Sequence, residues 1–209
     1  MPFSDNKVEL IGYYGGDESH ALSAWTSTRR ELDEDRRGRM ESMLTMLATN
    51  GHHTPFEKST LHFLVTCDTA SHIHIIKHRI AVSVNAESAR YKELKDDKLY
   101  VPVDWSAELQ TEFTQFCELA CTKYHAKLSE LEPTLGRKRA KESARYYLPY
   151  ATQVTMDVAF NFRSFMHFQG LRNSKHAQLE IRQIAQEMLR LVAETGQFGL
   201  SLKAFGYAN

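Results

Sequence analysis

Apolar positions recur along this chain with two spacings, and segments of each kind follow one another from end to end. Residues 8–13 are rich in β-formers and run into Gly15-Gly16, which predicts a strand and a turn. Two helices are expected next, over residues 18–30 and 35–50. In the second, Met40, Met43, Leu44 and Leu47 make one apolar stripe, and Gly51 supplies the stop. Residues 61–66 read as a strand. Residues 70–79 fit both spacings: Ser71 to Ile76 alternates as a strand does, yet the same unbroken run suits a buried helix. The clearest helix covers residues 104–131, where Trp105, Leu109, Phe113, Phe116, Ala120, Tyr124, Leu128 and Leu131 fall at steps of three and four, with Pro133 as its end. A basic helix over 136–147, a strand over 152–160, a helix over 161–171 and an amphipathic helix over 177–194 complete the pattern. Strands interspersed with long helices predict an α+β (mixed α/β) fold.

Composition narrows this picture. A chain of 209 residues suits one domain, expected to span 1–209. Lys+Arg and Asp+Glu both number 26, so the formal net charge is zero. Nucleic acid is thereby disfavoured as the main partner, although a local anion pocket remains open. Cys67, Cys117 and Cys121 form no CxxC pair, which predicts buried free thiols in a reducing cytoplasm. The first ten residues lack an apolar signal region and no run approaches membrane-spanning length, so a soluble, cytoplasmic protein is expected.

Two stretches concentrate chemistry. Lys77, His78, Arg79, Ser83, Asn85, Ser88 and Arg90 offer cations, hydroxyls and an amide within a short span, enough to bind a phosphate or carboxylate or simply to form a solvated basic loop. Further on, Arg163 and His167 share a helix face and Arg172 follows near its end, while Asn161 is placed to cap that helix. The histidines at 52, 53, 72, 74 and 78 raise the question of a metal. No HExxH is present, and Lys77 and Arg79 would repel a cation, so no metal site is expected. No P-loop, dinucleotide fingerprint or nucleophile elbow is found.

Five elements in order resemble the flavin-dependent thymidylate synthases, the thymidylate synthase-complementing proteins. They are Gly51-His-His-Thr-Pro-Phe-Glu57; Lys77-His78-Arg79 with Ser83-Val84-Asn85 and Ser88-Ala89-Arg90-Tyr91; Ala144-Arg145-Tyr-Tyr-Leu-Pro149; the run from Asn161 to Arg172; and His176 to Arg182. The chain departs from the family pattern at Lys77, where Arg is usual, at His74 for Gln, at Ala86 for an acid that Glu87 then supplies, and in a spacer one residue longer.

The resemblance implies a central antiparallel-rich sheet with long helices, assembled as a homotetramer with active sites between subunits. It implies methylation of dUMP to dTMP, with 5,10-methylenetetrahydrofolate as carbon donor and FAD, reduced by NADPH, as hydride source. Carried over by motif, dUMP falls to His74, Lys77, Glu87, Ser88, Ala89, Arg90, Arg145 and Arg172, and FAD to Thr54, Lys77, His78, Arg79, Glu87, Asn161, Arg163 and His167. Arg172 is the residue expected to activate the pyrimidine. Hydroxymethylation of dUMP on the same fold, a non-catalytic flavin- or nucleotide-binding role and a metal-dependent hydrolase are the competing readings.

Overall fold

In a computed structural model of the protein, residues 5–94 and 98–207 are described. The strands are β1 (Lys7–Tyr14), β2 (Thr60–Asp68), β3 (Val82–Ala86) and β4 (Gln153–Asn161). They hydrogen-bond in the order β1-β2-β4-β3 as one antiparallel sheet, in agreement with the expected fold class. Burial alternates along the inner strands. Leu61, Phe63, Val65 and Cys67 of β2 are buried and the residues between the first three are only half-buried, the period-two signature of a sheet with one packed face.

Several helices begin at a capping side chain. Asp68 resolves the ambiguous segment: its carboxylate accepts the Ser71 N–H at 2.8 Å, and the chain enters helix α3 (Thr69–Ile76) instead of continuing as strand. Helix α1 (Asp17–Trp25) ends five residues before the expected boundary. Thr26, Ser27 and Thr28 turn their hydroxyls back onto the carbonyls of Leu22, Ala24 and Trp25, offering the backbone an alternative to further helix. Helix α2 (Glu34–Thr49) stops as expected. Gly51 takes φ 73°, its N–H reaches Ala48 O, and the His52 N–H reaches Leu47 O, the paired bonds of a left-handed helix stop.

The chain groups into two compact units. One comprises Met1–Lys7, Val65–Lys77 and Asn85–Met156; the other comprises Val8–Leu64, His78–Val84 and Asp157–Asn209. The first is dominated by α4 (Ala107–Ala144), which merges the two helices expected at 104–131 and 136–147. Pro133 is accommodated inside the helical run, and the interruption falls three residues later at Gly136, with φ 75° and ψ 154°. In a straight helix Tyr124 and Ala140 would lie about 24 Å apart at 1.5 Å per residue. Instead Tyr124 and Leu128 share one buried cluster with Ala140 and Ala144. The chain therefore doubles back at Gly136, and the two alanines, four apart, permit the close approach. All three cysteines are free and buried, as anticipated.

The second unit holds helices α5 (Phe162–Arg172), α6 (Leu179–Glu194) and α7 (Gly199–Ala204). Helix α7, six residues long, is too short to announce itself by periodicity. Within this unit a fully buried imidazole lies between hydroxyls. Ser201 Oγ donates to Asp17 Oδ1 at 2.5 Å, so it must accept from His20 Nδ1 at 2.8 Å. His20 Nε2 is then the acceptor for Ser59 Oγ at 2.7 Å. The phenyl rings of Phe56, Phe162 and Phe198 surround the histidine at 5.1 to 6.1 Å. No helix among the described residues is long and apolar enough to cross a membrane.

Burial pushes the His20 imidazole down from 6.5 to about 4. The neutral ring is favoured in the fold, so the unfolded chain takes up the extra proton between these values. The resulting stabilisation is complete above pH 6.5 and is lost as pH falls toward 4, on the order of 3 kcal/mol in all. Burial raises the Asp17 carboxyl, which opposes this loss at the acid end. Melting temperature measured from pH 7.5 to 4 is expected to fall more steeply in the native protein than in His20→Gln, which starts less stable. Parallel profiles would remove His20 as the source of the acid sensitivity.

Candidate functional site

The candidate residues fall into two groups, one in each unit. In the first, the end of β3 delivers Glu87, Ser88, Ala89 and Arg90. The Glu87 N–H continues the sheet ladder to Thr155 O at 2.9 Å. Its carboxylate accepts the Thr155 N–H at 3.3 Å and Lys92 Nζ at 2.6 Å, so both oxygens are held. The Ser88 carbonyl takes the N–H groups of Tyr91 and Lys92, and Ser88 Oγ accepts the Arg90 N–H at 3.3 Å. This local turn uses the hydroxyl as an acceptor.

The Arg90 guanidinium donates from Nε to Glu142 Oε1 at 2.6 Å and lies 5.7 Å from the centre of the Tyr91 ring. Glu142 also accepts from Arg139 at 3.3 Å. The Arg90 hydrogen bond is the main reason that the Glu142 carboxyl sits below the usual range. Arg145 opens a short 3₁₀ turn, Arg145–Tyr147, and is exposed, with no ion-pair partner among the described residues. His74 lies on α3 and exposed Lys77 caps its end. Glu87, Ser88 and Ala89 border a cavity whose wall includes Leu94, Tyr124 and Leu148, so an apolar recess adjoins the polar turn.

The second group is organised around α5. Asn161 caps it as expected, its side-chain oxygen accepting the Ser164 N–H at 2.9 Å. The same helix end is tied to the segment after α3: the Asn161 N–H meets Ala81 O at 3.3 Å, and Ser164 Oγ donates to Ile80 O at 2.8 Å. Ala81 has φ 51°, a left-handed conformation that alanine adopts at a cost. Beside it Ile80 is 86% exposed and Arg79 is also exposed.

Thr54 lies in the 3₁₀ turn Thr54–Glu57. Glu57 of that turn pairs with Arg163 at 2.5 Å. His78, half-buried, packs its ring edgewise on Phe168 at 5.0 Å and lies 5.9 Å from exposed His167. Arg172 Nε donates to His78 Nε2 at 3.0 Å. Glu57 and Glu142 were outside the site expected from sequence. Each partners an arginine that was within it, at separations of 106 and 52 residues that no local pattern exposes. Among the described residues no cluster of His, Cys, Asp and Glu is arranged to hold a metal.

The sequence profile of the thymidylate synthase complementing protein family matches residues 9–195. Flavin-dependent thymidylate synthases of Mycobacterium tuberculosis (strain ATCC 25618 / H37Rv) and Mycobacterium sp. (strain KMS) are each 34% identical to the chain, over 154 and 164 residues. These alignments cover 68% and 71% of this chain, which spans 61% and 64% of the length of those relatives. Among solved structures, the chain is similar to a UMP/dUMP methylase of Streptomyces cacaoi bound with 5-Br dUMP, with a TM-score of 0.81 and 26% identity over 99% of this chain and 97% of that one. The same methylase bound with 5-Br UMP gives 0.79 and 25% over the same shares.

Asn161 caps α5, and substitution isolates what that cap is worth. Asn161→Ala is expected to lower unfolding free energy by about 1 kcal/mol through loss of the cap, whereas Asn161→Asp keeps it. Urea denaturation of both variants checks this. Equal stability of all three proteins would mean that the cap adds nothing.

Proposed function

We propose that this chain, which belongs to the thymidylate synthase-complementing protein family, methylates dUMP to dTMP as a flavin-dependent thymidylate synthase. The carbon donor is 5,10-methylenetetrahydrofolate. The observation that carries the reading is the nearly end-to-end structural similarity to a methylase of UMP and dUMP, in a chain that also carries the family's ordered motifs. The free buried thiols fit a cytoplasmic enzyme.

The residues present fit FAD. The cofactor joins an anionic pyrophosphate to an apolar ring system. The second unit offers exposed Arg79, Arg163 fixed by Glu57, and the exposed aliphatic Ile80 on a strained turn. Thr54, His78, Arg79, Asn161, Arg163 and His167 of that unit would hold it. When bound and reduced by NADPH, FAD supplies the hydride that completes the methyl group.

The protein's own residues supply binding and charge. Arg90 and Arg145 meet the dUMP phosphate, with the Ser88 hydroxyl and the Ala89 backbone beside them, and His74, Lys77 and Glu87 complete the nucleotide pocket. Phosphate must share Arg90 with Glu142, which keeps the guanidinium oriented before substrate arrives. Arg172 faces the N3–O2 edge of the pyrimidine. A fixed cation there stabilises the negative charge that the ring bears when C5 becomes nucleophilic and attacks the methylene carbon.

The working form is a homotetramer in which a second copy completes each site. Leu109, Phe116 and Leu119 on α4, each more than half exposed, support an assembled protein.

The decisive experiment incubates purified protein with dUMP, methylenetetrahydrofolate, FAD and NADPH and reads the product mass. dTMP is expected; hydroxymethyl-dUMP, or no change in dUMP, overturns the reading. Arg172→Ala is expected to slow dUMP-dependent flavin oxidation by about a hundredfold to a thousandfold. Reduction by NADPH should change little. Stopped-flow of both half-reactions tests this, and equal small effects would move base activation to another residue. Ser88→Ala is expected to weaken dUMP binding about tenfold or more, through loss of one hydrogen bond to a charged group, while turnover persists. Calorimetric titration with dUMP measures it. Normal binding with abolished turnover would make Ser88 a nucleophile instead.

A further inference from the structure

We propose that His78 is a positioning residue for Arg172: its neutral imidazole accepts the Arg172 Nε–H and so aims the guanidinium at the pyrimidine. This rests on the reading of Arg172 given above, and it assigns to the His78 ring a task other than contact with the cofactor.

The geometry fixes the chemistry of the pair. A guanidinium nitrogen can only donate, so His78 Nε2, 3.0 Å away, must present its lone pair and carry its proton on Nδ1. The ring cannot swing freely. Phe168 packs against it edgewise at 5.0 Å, with His167 on the same helix at 5.9 Å. The segment that carries His78 is itself pinned to α5 at two further points, through Ile80 O with Ser164 Oγ and Ala81 O with the Asn161 N–H. Acceptor and donor thus ride on one locally rigid assembly, the condition for orienting a charged group before substrate binds.

The identity of the acceptor matters. Arg90 and Arg163 are oriented by carboxylates, Glu142 and Glu57, which offset the charge they hold. An imidazole acceptor orients Arg172 while adding no negative charge of its own. For a residue asked to stabilise an anionic ring, that is the useful kind of support: direction is fixed and the field of the cation is not cancelled by this partner.

The test compares His78→Leu, which removes the acceptor while keeping an apolar contact with Phe168, and His78→Gln, whose amide oxygen reaches about as far as Nε2. Both are measured as flavin-loaded protein. His78→Leu is expected to slow dUMP-dependent flavin oxidation by about tenfold to a hundredfold, the effect of one lost hydrogen bond to a charged group. His78 is also among the residues that would hold FAD, so both half-reactions are taken per bound flavin; reduction by NADPH is expected to fall far less than oxidation, and His78→Gln to restore most of the oxidation rate. A second readout does not depend on turnover. The Arg172 Nε–H signal in ¹⁵N NMR should exchange slowly with water in the native protein and in His78→Gln, and rapidly in His78→Leu.

Loss of FAD from His78→Leu with a native Arg172 signal would overturn the proposal in favour of simple cofactor contact. Native oxidation rates in His78→Leu would overturn it as well. If the native protein forms no product from dUMP, the proposed function fails, and the Nε–H exchange still decides whether His78 holds Arg172.

Discussion

A neutral imidazole sealed among phenyl rings is the constraint around which the second unit is arranged. His20 cannot be protonated where it sits without losing the acceptor it offers to Ser59, and its other nitrogen leads through Ser201 to the carboxylate of Asp17. Each link removes a buried polar group from the list of those that would otherwise go unsatisfied. The chain of bonds also fixes geometry at the surface. Phe56, in contact with His20, belongs to the same 3₁₀ turn as Thr54 and Glu57. Phe162, also in contact, opens the helix that carries Arg163, His167 and Arg172. Interior hydrogen bonding and the exposed candidate site are thus parts of one packing arrangement.

Among the candidate residues of each unit the recurring problem is how to hold arginines. Free guanidinium side chains lose rotamer entropy when a ligand arrives, and a prior partner reduces that cost. Arg90 and Arg163 have carboxylates for this purpose, and Arg172 has an imidazole. Arg145 and Arg79 are exposed and make no ion pair among the described residues. The five cations therefore differ in how far they are preorganised.

Much of this was legible in the amino-acid sequence, for identifiable reasons. Gly51 as a helix stop, Asn161 as a cap and the strand-forming runs of β2 and β4 are local signals, and local signals survive folding. The ordered motifs gathered the candidate residues. Three kinds of feature were hidden. Helix α1 ended early because three consecutive hydroxyls competed for its last carbonyls. β3 lay inside a stretch read only for its charges, since its five residues are too few to show alternation clearly. The carboxylates that hold Arg90 and Arg163 come from distant parts of the chain, and spacing carries no record of such pairing.

The reversal at Gly136 has a consequence for helical phase. Along an unbroken helix every residue gained or lost rotates all that follows by about 100°, so a distant side chain inherits each upstream change. The glycine ends that inheritance. The segment after it takes its rotation from its own anchors: Ala140 and Ala144 against Tyr124 and Leu128, Lys141 Nζ on Tyr91 O at 2.8 Å, and Glu142 on Arg90. Glu142 and Arg145 are therefore aimed by a short arm with its own register. The long arm before the glycine can change in length at its far end, remote from Tyr124, without turning either residue away.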